Sequence, residues 1–153
     1  VPNVGKSTLI NKLAKKRAAQ VENRPGKTKA QQWIKVGNQF ELLDTPGILP
    51  MKFEHADLAV NLALLGMVKE EILPKEELAN KIVNYLKVKH PGSLESAYAL
   101  SNTSQKDAPA IIAEIGRGAG VIEGGQPDLN RAIMMLLSDF RNGKITRLSL
   151  ETI

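Results

Sequence analysis

The sequence predicts an α/β domain followed by a smaller, mainly α-helical C-terminal domain. Three observations carry that expectation. A glycine-lysine-serine segment at Val1–Thr8 runs straight into an amphipathic stretch. Two short alternating apolar runs end in Asp44-Thr45-Pro46-Gly47. From about residue 55 onward the pattern changes to helical periodicity.

The first of these, Val1-Pro2-Asn3-Val4-Gly5-Lys6-Ser7-Thr8, reads as a phosphate-binding loop of the form GxxxxGKS/T, whose first glycine would fall immediately before Val1. The chemistry at this spacing is specific. Successive backbone N–H groups from Asn3 through Thr8 wrap phosphate oxygens, and Gly5 lets the chain approach them closely. Lys6 reaches the β- and γ-phosphates, and the Ser7 hydroxyl ligates Mg²⁺. The helix opening at Ser7 points its positive end at the same anion. The plain alternative is a chance Gly-Lys-Ser in a basic loop, and the next forty or so residues weigh against it.

Bulk properties bound the rest. The chain has 153 residues, enough for one ordinary domain or two small ones, with 42% apolar and 24% charged residues, the profile of a globular protein. No run of eighteen apolar residues suggests a membrane span, and no signal peptide is visible. The absence of cysteine excludes disulfides and thiolate metal sites and fits a cytoplasmic setting. Charge is unevenly spread: residues 1–35 hold nine basic side chains against Glu22 alone, a net +8, whereas the remainder holds twelve basic and fifteen acidic, a net −3. A positive field at the phosphate end suits a polyanion such as RNA. Lys12, Lys15 and Lys16 read equally well as the wet face of a helix.

In chain order, Ser7 to about Arg17 is an amphipathic helix with Leu9, Ile10, Leu13 and Ala14 as its apolar stripe. Residues 18–31 lose periodicity and read as a loop. Trp33–Val36 and Phe40–Leu43, separated by Gly37-Asn38-Gln39, form an antiparallel hairpin. Asp44 at the second strand's end is placed to hold Mg²⁺ through a water, Gly47 can offer its backbone N–H to a γ-phosphate, and Thr28 can close the Mg²⁺ shell. Two loops that grip a γ-phosphate and relax without it make a switch. Lys6, Thr28 and Gly47 are therefore the candidate catalytic residues, and Ser7, Thr28 and Asp44 the candidate Mg²⁺ ligands.

At this point the chain resembles the translation-factor-related class of GTPases, through its NVGKS, RPGKT and DTPG elements. A guanine-reading N/T-K-x-D does not follow. Asn80-Lys81-Ile82-Val83 ends in Val, Ser104-Gln105-Lys106-Asp107 lacks the Asn, and Ser96-Ala97-Tyr98 only brushes the companion SAK motif. The chain could be cut short, could belong to an ATPase, or could carry the motif ahead of the phosphate loop. The stretch NRPGKTKAQQWIKVGNQFELLDTPGILPMKFE and the helical tail ending DFRNGKITRLSLE favour the third account. They resemble the ribosome biogenesis GTPase A (YlqF-type) family over essentially the whole chain, most tightly from Val1 to Phe53. The resemblance implies a partial, circularly permuted P-loop GTPase domain at 1–54 and a helical domain at 55–153. It also implies GTP/GDP and Mg²⁺ as ligands, and the precursor of the large ribosomal subunit with its rRNA as partner, with no membrane or DNA partner. This segment by itself is expected to be inactive, its base-reading motifs lying ahead of the phosphate loop.

Beyond Pro50, Asp57–Gly66 should be helical. Pro74 opens a helix carrying Leu78, Ile82, Tyr85 and Leu86, with Glu76 and Glu77 in its first turn, Lys87 and Lys89 in its last, and His90-Pro91-Gly92 as its stop. Ala110–Ile115 makes a short helix capped by Asp107. Pro127 and Asp128 open another, with Leu129, Ile133, Leu136, Leu137 and Phe140 on one face and Gly143 after it. Gly116-Arg117-Gly118-Ala119-Gly120 imitates a dinucleotide fingerprint but follows a helix, so a flexible interhelix loop is the expectation. His55 and His90 read as surface or capping residues, and Trp33 as a hairpin core or edge residue.

One substitution shapes the mechanism. Many GTPases carry a water-orienting Gln after DxxG, and this chain has Ile48. Hydrolysis should then be slow until a partner supplies the geometry. In the resembled family, Asn3 occupies the position whose side-chain carbonyl holds K⁺; the plainer reading is that Asn3 shapes the loop by hydrogen bonding to its backbone. The runner-up functions are a tRNA-modification or Era-like RNA-binding GTPase and a non-catalytic RNA- or protein-binding fragment.

Overall fold

The computed structural model describes residues 4–14, 31–36, 40–48, 56–68, 74–148 and 150. Asn3, Arg24, Thr28, His55, the hairpin's turn and the helix continuation to Arg17 lie outside them. The chain separates into two compact units, residues 1–69 and 70–153.

In the first unit, α1 is Lys6–Ala14, β1 Gln32–Val36, β2 Phe40–Asp44 and α2 Ala56–Leu64. The strands pair antiparallel from Val36 opposite Phe40 to Gln32 opposite Asp44. Side chains alternate across a strand, so Gln32, Ile34 and Val36 share a face with Phe40, Leu42 and Asp44. On that face Ile10 of α1 and Ile34 are buried together, with Ala14 and Leu42 packed against them. The other two members of the expected α1 stripe are not covered: Leu9 is 59% and Leu13 48% exposed. A helix lying on two strands meets them along a narrow line, and here that line runs through Ile10 and Ala14. Trp33, on the opposite face, is 68% exposed.

α2 buries Val60, Ala63 and Leu64. It ends in a Schellman turn, with Gly66 N–H bonded to the Ala63 carbonyl and Met67 N–H to the Leu62 carbonyl at 3.0 and 2.8 Å.

The second unit contains α3 Lys75–Lys89, α4 Ser93–Tyr98, α5 Ala108–Gly118, β3 Ile122–Glu123, β4 Gln126–Pro127 and α6 Leu129–Arg141. Its core is built by α3, α5 and α6. The three helices pack on one another, and Leu78, Ile82 and Leu86 of α3, Ile111 and Ile115 of α5, and Ala132, Leu136 and Leu137 of α6 are all buried. The helix starts are capped as their sequences require: Asp107 accepts from Ala110 N–H at 2.9 Å and Asp128 from Arg131 N–H at 3.0 Å. His90 sits at the C-cap of α3, its N–H bonded to the Leu86 carbonyl at 2.9 Å.

Two expectations for this unit are corrected. Gly116 and Gly118 do not form a flexible loop; they are the last turn of α5, where Gly116 is buried against Ala132. Leu129, expected on the core face of α6, is 49% exposed at the helix start. The helix α4 and the small β3–β4 hairpin, turned by Gly124-Gly125, are additions to the expected elements.

Candidate phosphate and cation site

Gly5 adopts φ +83°, a left-handed conformation natural to glycine, and its carbonyl accepts the first helical hydrogen bond, from Leu9 N–H at 2.9 Å. The turn delivers Lys6 and Ser7 as the opening residues of α1. β2 delivers the third partner, because its last residue is Asp44 on the face that α1 covers.

The three side chains meet. Lys6 Nζ lies 3.2 Å from Asp44 Oδ1, and Ser7 Oγ donates to Asp44 Oδ2 at 3.4 Å. Asp44 is fully buried while the Lys6 side chain keeps 33% of its surface. Burying a carboxylate without partners would be costly, and here both oxygens are bonded. A fourth residue joins them: Gln32 Nε2 donates to Asp44 Oδ2 at 3.3 Å. Gln32 was not singled out from the sequence. The signal existed in the hairpin register, which sets residue 32 opposite residue 44.

The remaining candidates are less engaged. Val4, Gly5 and Thr8 are exposed around the helix start, and Gly47 is half-buried just past β2. Ile48 follows it at 80% exposure. Asn3 and Thr28 lie outside the described residues. The two imitations of a base-reading motif are occupied elsewhere. Ile82 and Val83 of the first are buried in α3, and in the second Lys106 Nζ bonds Glu114 at 2.8 Å and the Ser101 carbonyl at 2.7 Å while Asp107 caps α5.

A glycine-lysine-serine turn opening a helix, with a strand-end carboxylate held against both the lysine and the serine, is the arrangement of a P-loop nucleotide-binding domain. Over residues 1–113 the chain matches the family described as 50S ribosome-binding GTPase, and it belongs to that family. It is 42% identical over 153 residues to Ribosome biogenesis GTPase A of Bacillus cereus, a match covering 99% of this chain and 51% of that protein. With Nucleolar GTP-binding protein 2 of Schizosaccharomyces pombe it shares 35% identity over 146 residues, 94% of this chain and 26% of that protein. Among solved structures, the GDP-bound structure of TM YlqF superposes with a TM-score of 0.62 at 30% identity, covering 99% of this chain and 57% of that one. The chain thus spans about half the length of the curated Ribosome biogenesis GTPase A it matches.

Proposed function

We propose that this chain carries the phosphate-binding and switch elements of a GTP-hydrolysing molecular switch that acts in late assembly of the large ribosomal subunit. The observation that carries the reading is the meeting of Lys6, Ser7 and Asp44 at one helix start. The family match and the names of the relatives point the same way. Lys6 binds the β- and γ-phosphates, Asn3 through Thr8 wrap them, and Gly47 and Thr28 respond to the γ-phosphate from the two switch loops.

A hard divalent cation takes oxygen ligands, and the hydroxyl of Ser7 and the carboxylate of Asp44, 3.4 Å apart, are such a set. Ser7, Asp44 and Thr28 would hold Mg²⁺, which when bound offsets charge on the phosphate oxygens. The likeness to Ribosome biogenesis GTPase A and to YlqF supports a base-reading element ahead of the phosphate loop, in the circularly permuted order, and both downstream imitations are engaged otherwise, in α3 and at the start of α5.

Ile48 has no hydrogen-bonding group, so it cannot orient an attacking water. Hydrolysis is therefore slow in isolation and quickens on the ribosomal particle, with K⁺ at Asn3 supplying part of the missing charge stabilisation. The setting is the cytoplasm; among the described residues no helix is long and apolar enough to cross a membrane.

The test is hydrolysis by the full-length protein with and without purified large subunits, together with co-sedimentation in GTP and in GDP. Subunits should accelerate hydrolysis, and the GTP form should co-sediment more strongly. Equal rates, with no co-sedimentation in either nucleotide, would overturn the reading.

A further inference from the structure

Three donors share the buried Asp44 carboxylate: Lys6 on Oδ1, and Ser7 and Gln32 on Oδ2. Under the proposed function two of them have a second task. The Lys6 ammonium turns to the phosphates and the Ser7 hydroxyl to the cation. Gln32 has no such task. It stands on β1 directly opposite Asp44, on the same face of the hairpin, and its amide meets Oδ2 at 3.3 Å. An ionised carboxylate offers only acceptors, so the amide must present its N–H side there.

We propose that Gln32 is a positioning residue for the cation site: its amide holds Asp44 Oδ2, fixes the plane of the carboxylate and leaves Oδ1 for the cation. The inference rests on the reading of Asp44 as an Mg²⁺ ligand. The torsion that turns a carboxylate is broad, so the orientation of Asp44 is set by its bonds rather than by its own rotamer. Once Lys6 and Ser7 engage the ligand, the cross-strand bond from Gln32 remains to do this. Hydrogen bonds behind a metal ligand commonly change metal affinity by about 10–100-fold when removed.

The experiment titrates Mg²⁺ against binding of a fluorescent GDP to the full-length protein. The variants are Gln32→Ala, Gln32→Met and Asp44→Asn. Gln32→Met keeps a stem of similar length without a donor. Both Gln32 variants should raise the Mg²⁺ concentration that half-maximally tightens GDP binding by about tenfold or more, with GDP affinity in EDTA unchanged. Asp44→Asn should raise it at least as far. If Asp44→Asn raises the requirement and the Gln32 variants do not, Gln32 has no positioning role and the Mg²⁺ reading stands. Full recovery in Gln32→Met would assign the effect to packing and overturn the inference, as would an equal loss of affinity in EDTA. An unchanged requirement in Asp44→Asn would overturn the Mg²⁺ reading and this inference together.

Discussion

The Lys6 ammonium meets the Asp44 carboxylate at 3.2 Å, one partner a third exposed and the other without any accessible surface. This asymmetry decides what each truncation does. Removing Asp44 leaves a lysine that solvent can still reach. Removing Lys6 leaves a buried carboxylate with only neutral donors, which is the costlier loss. Lys6→Ala should therefore destabilise the first unit by about 1–3 kcal/mol, and adding Asp44→Asn should recover part of that. Urea unfolding of the two single variants and the double variant measures the coupling; strict additivity would show that the pair contributes nothing to the fold.

In the second unit the decisive contact involves no charge. A methyl group built on Gly116 would stand 3.1 Å from Ala132 Cβ and 3.4 Å from Pro127 Cβ. The crossing of α5 and α6 therefore depends on a missing side chain. Gly116→Val should cost about 1–3 kcal/mol through overpacking. Gly116→Ala should cost less, because its gain in helix propensity of about 1 kcal/mol offsets the crowding. Combining Gly116→Ala with Ala132→Gly should relieve the clash. Thermal or urea unfolding reads all three, and a Gly116→Val protein as stable as wild type would contradict the packing account.

Tyr98 on α4 donates its hydroxyl to Asp139 of α6 at 3.2 Å, and Lys144 bonds the same carboxylate at 2.8 Å. Burial, and then the negative charge of Asp139, push the phenol above its ordinary range. The fold thus favours the neutral phenol. Its contribution to stability is complete below the unfolded value of about 10 and is lost as pH rises toward the higher folded value. Tyr98→Phe should lower stability by about 1 kcal/mol near neutrality and flatten the decline above about pH 10. Parallel alkaline limbs for the two proteins would remove Tyr98 from the pH dependence.

What the sequence disclosed follows from how local each signal is. The helix start at Lys6, the hairpin and the caps at Asp107 and Asp128 are written in neighbouring residues, and each stands within a residue or so of its expected place. Expected strands Trp33–Val36 and Phe40–Leu43 each gain one residue, and those two additions are Gln32 and Asp44. Asp44 was legible at the strand's end, while a boundary one residue short left out its cross-strand partner Gln32. Gly116 and Gly118 misled because low helix propensity is a local cue, while the close crossing at Ala132 that favours glycine is a tertiary one. The apolar pattern of α1 was legible, but how much of it the hairpin covers was not, since Leu9 and Leu13 differ from Ile10 only in what lies opposite them.

The K⁺ proposed at Asn3 gives a separate prediction. A monovalent cation beside the phosphates does part of the work of an arginine finger, and Ile48 leaves room for such help. Hydrolysis by the full-length protein should be about tenfold or more faster in KCl than in NaCl at equal ionic strength, a fraction of an arginine finger's effect. Asn3→Ala should abolish the difference. Equal rates in both salts for wild type would remove the cation, and a K⁺ effect that survives Asn3→Ala would keep the cation and discard Asn3 as its ligand.

Under the proposed function, the turn at Gly5, Lys6 and Ser7 binds the phosphates of GTP and hydrolysis depends on it. The most direct measurement is GTP affinity and single-turnover hydrolysis of full-length wild type and Lys6→Ala, at a temperature where circular dichroism shows both folded. Lys6→Ala should lose high-affinity binding and slow hydrolysis by about 100-fold or more. A folded Lys6→Ala protein that binds and turns over GTP at the wild-type rate would contradict the account.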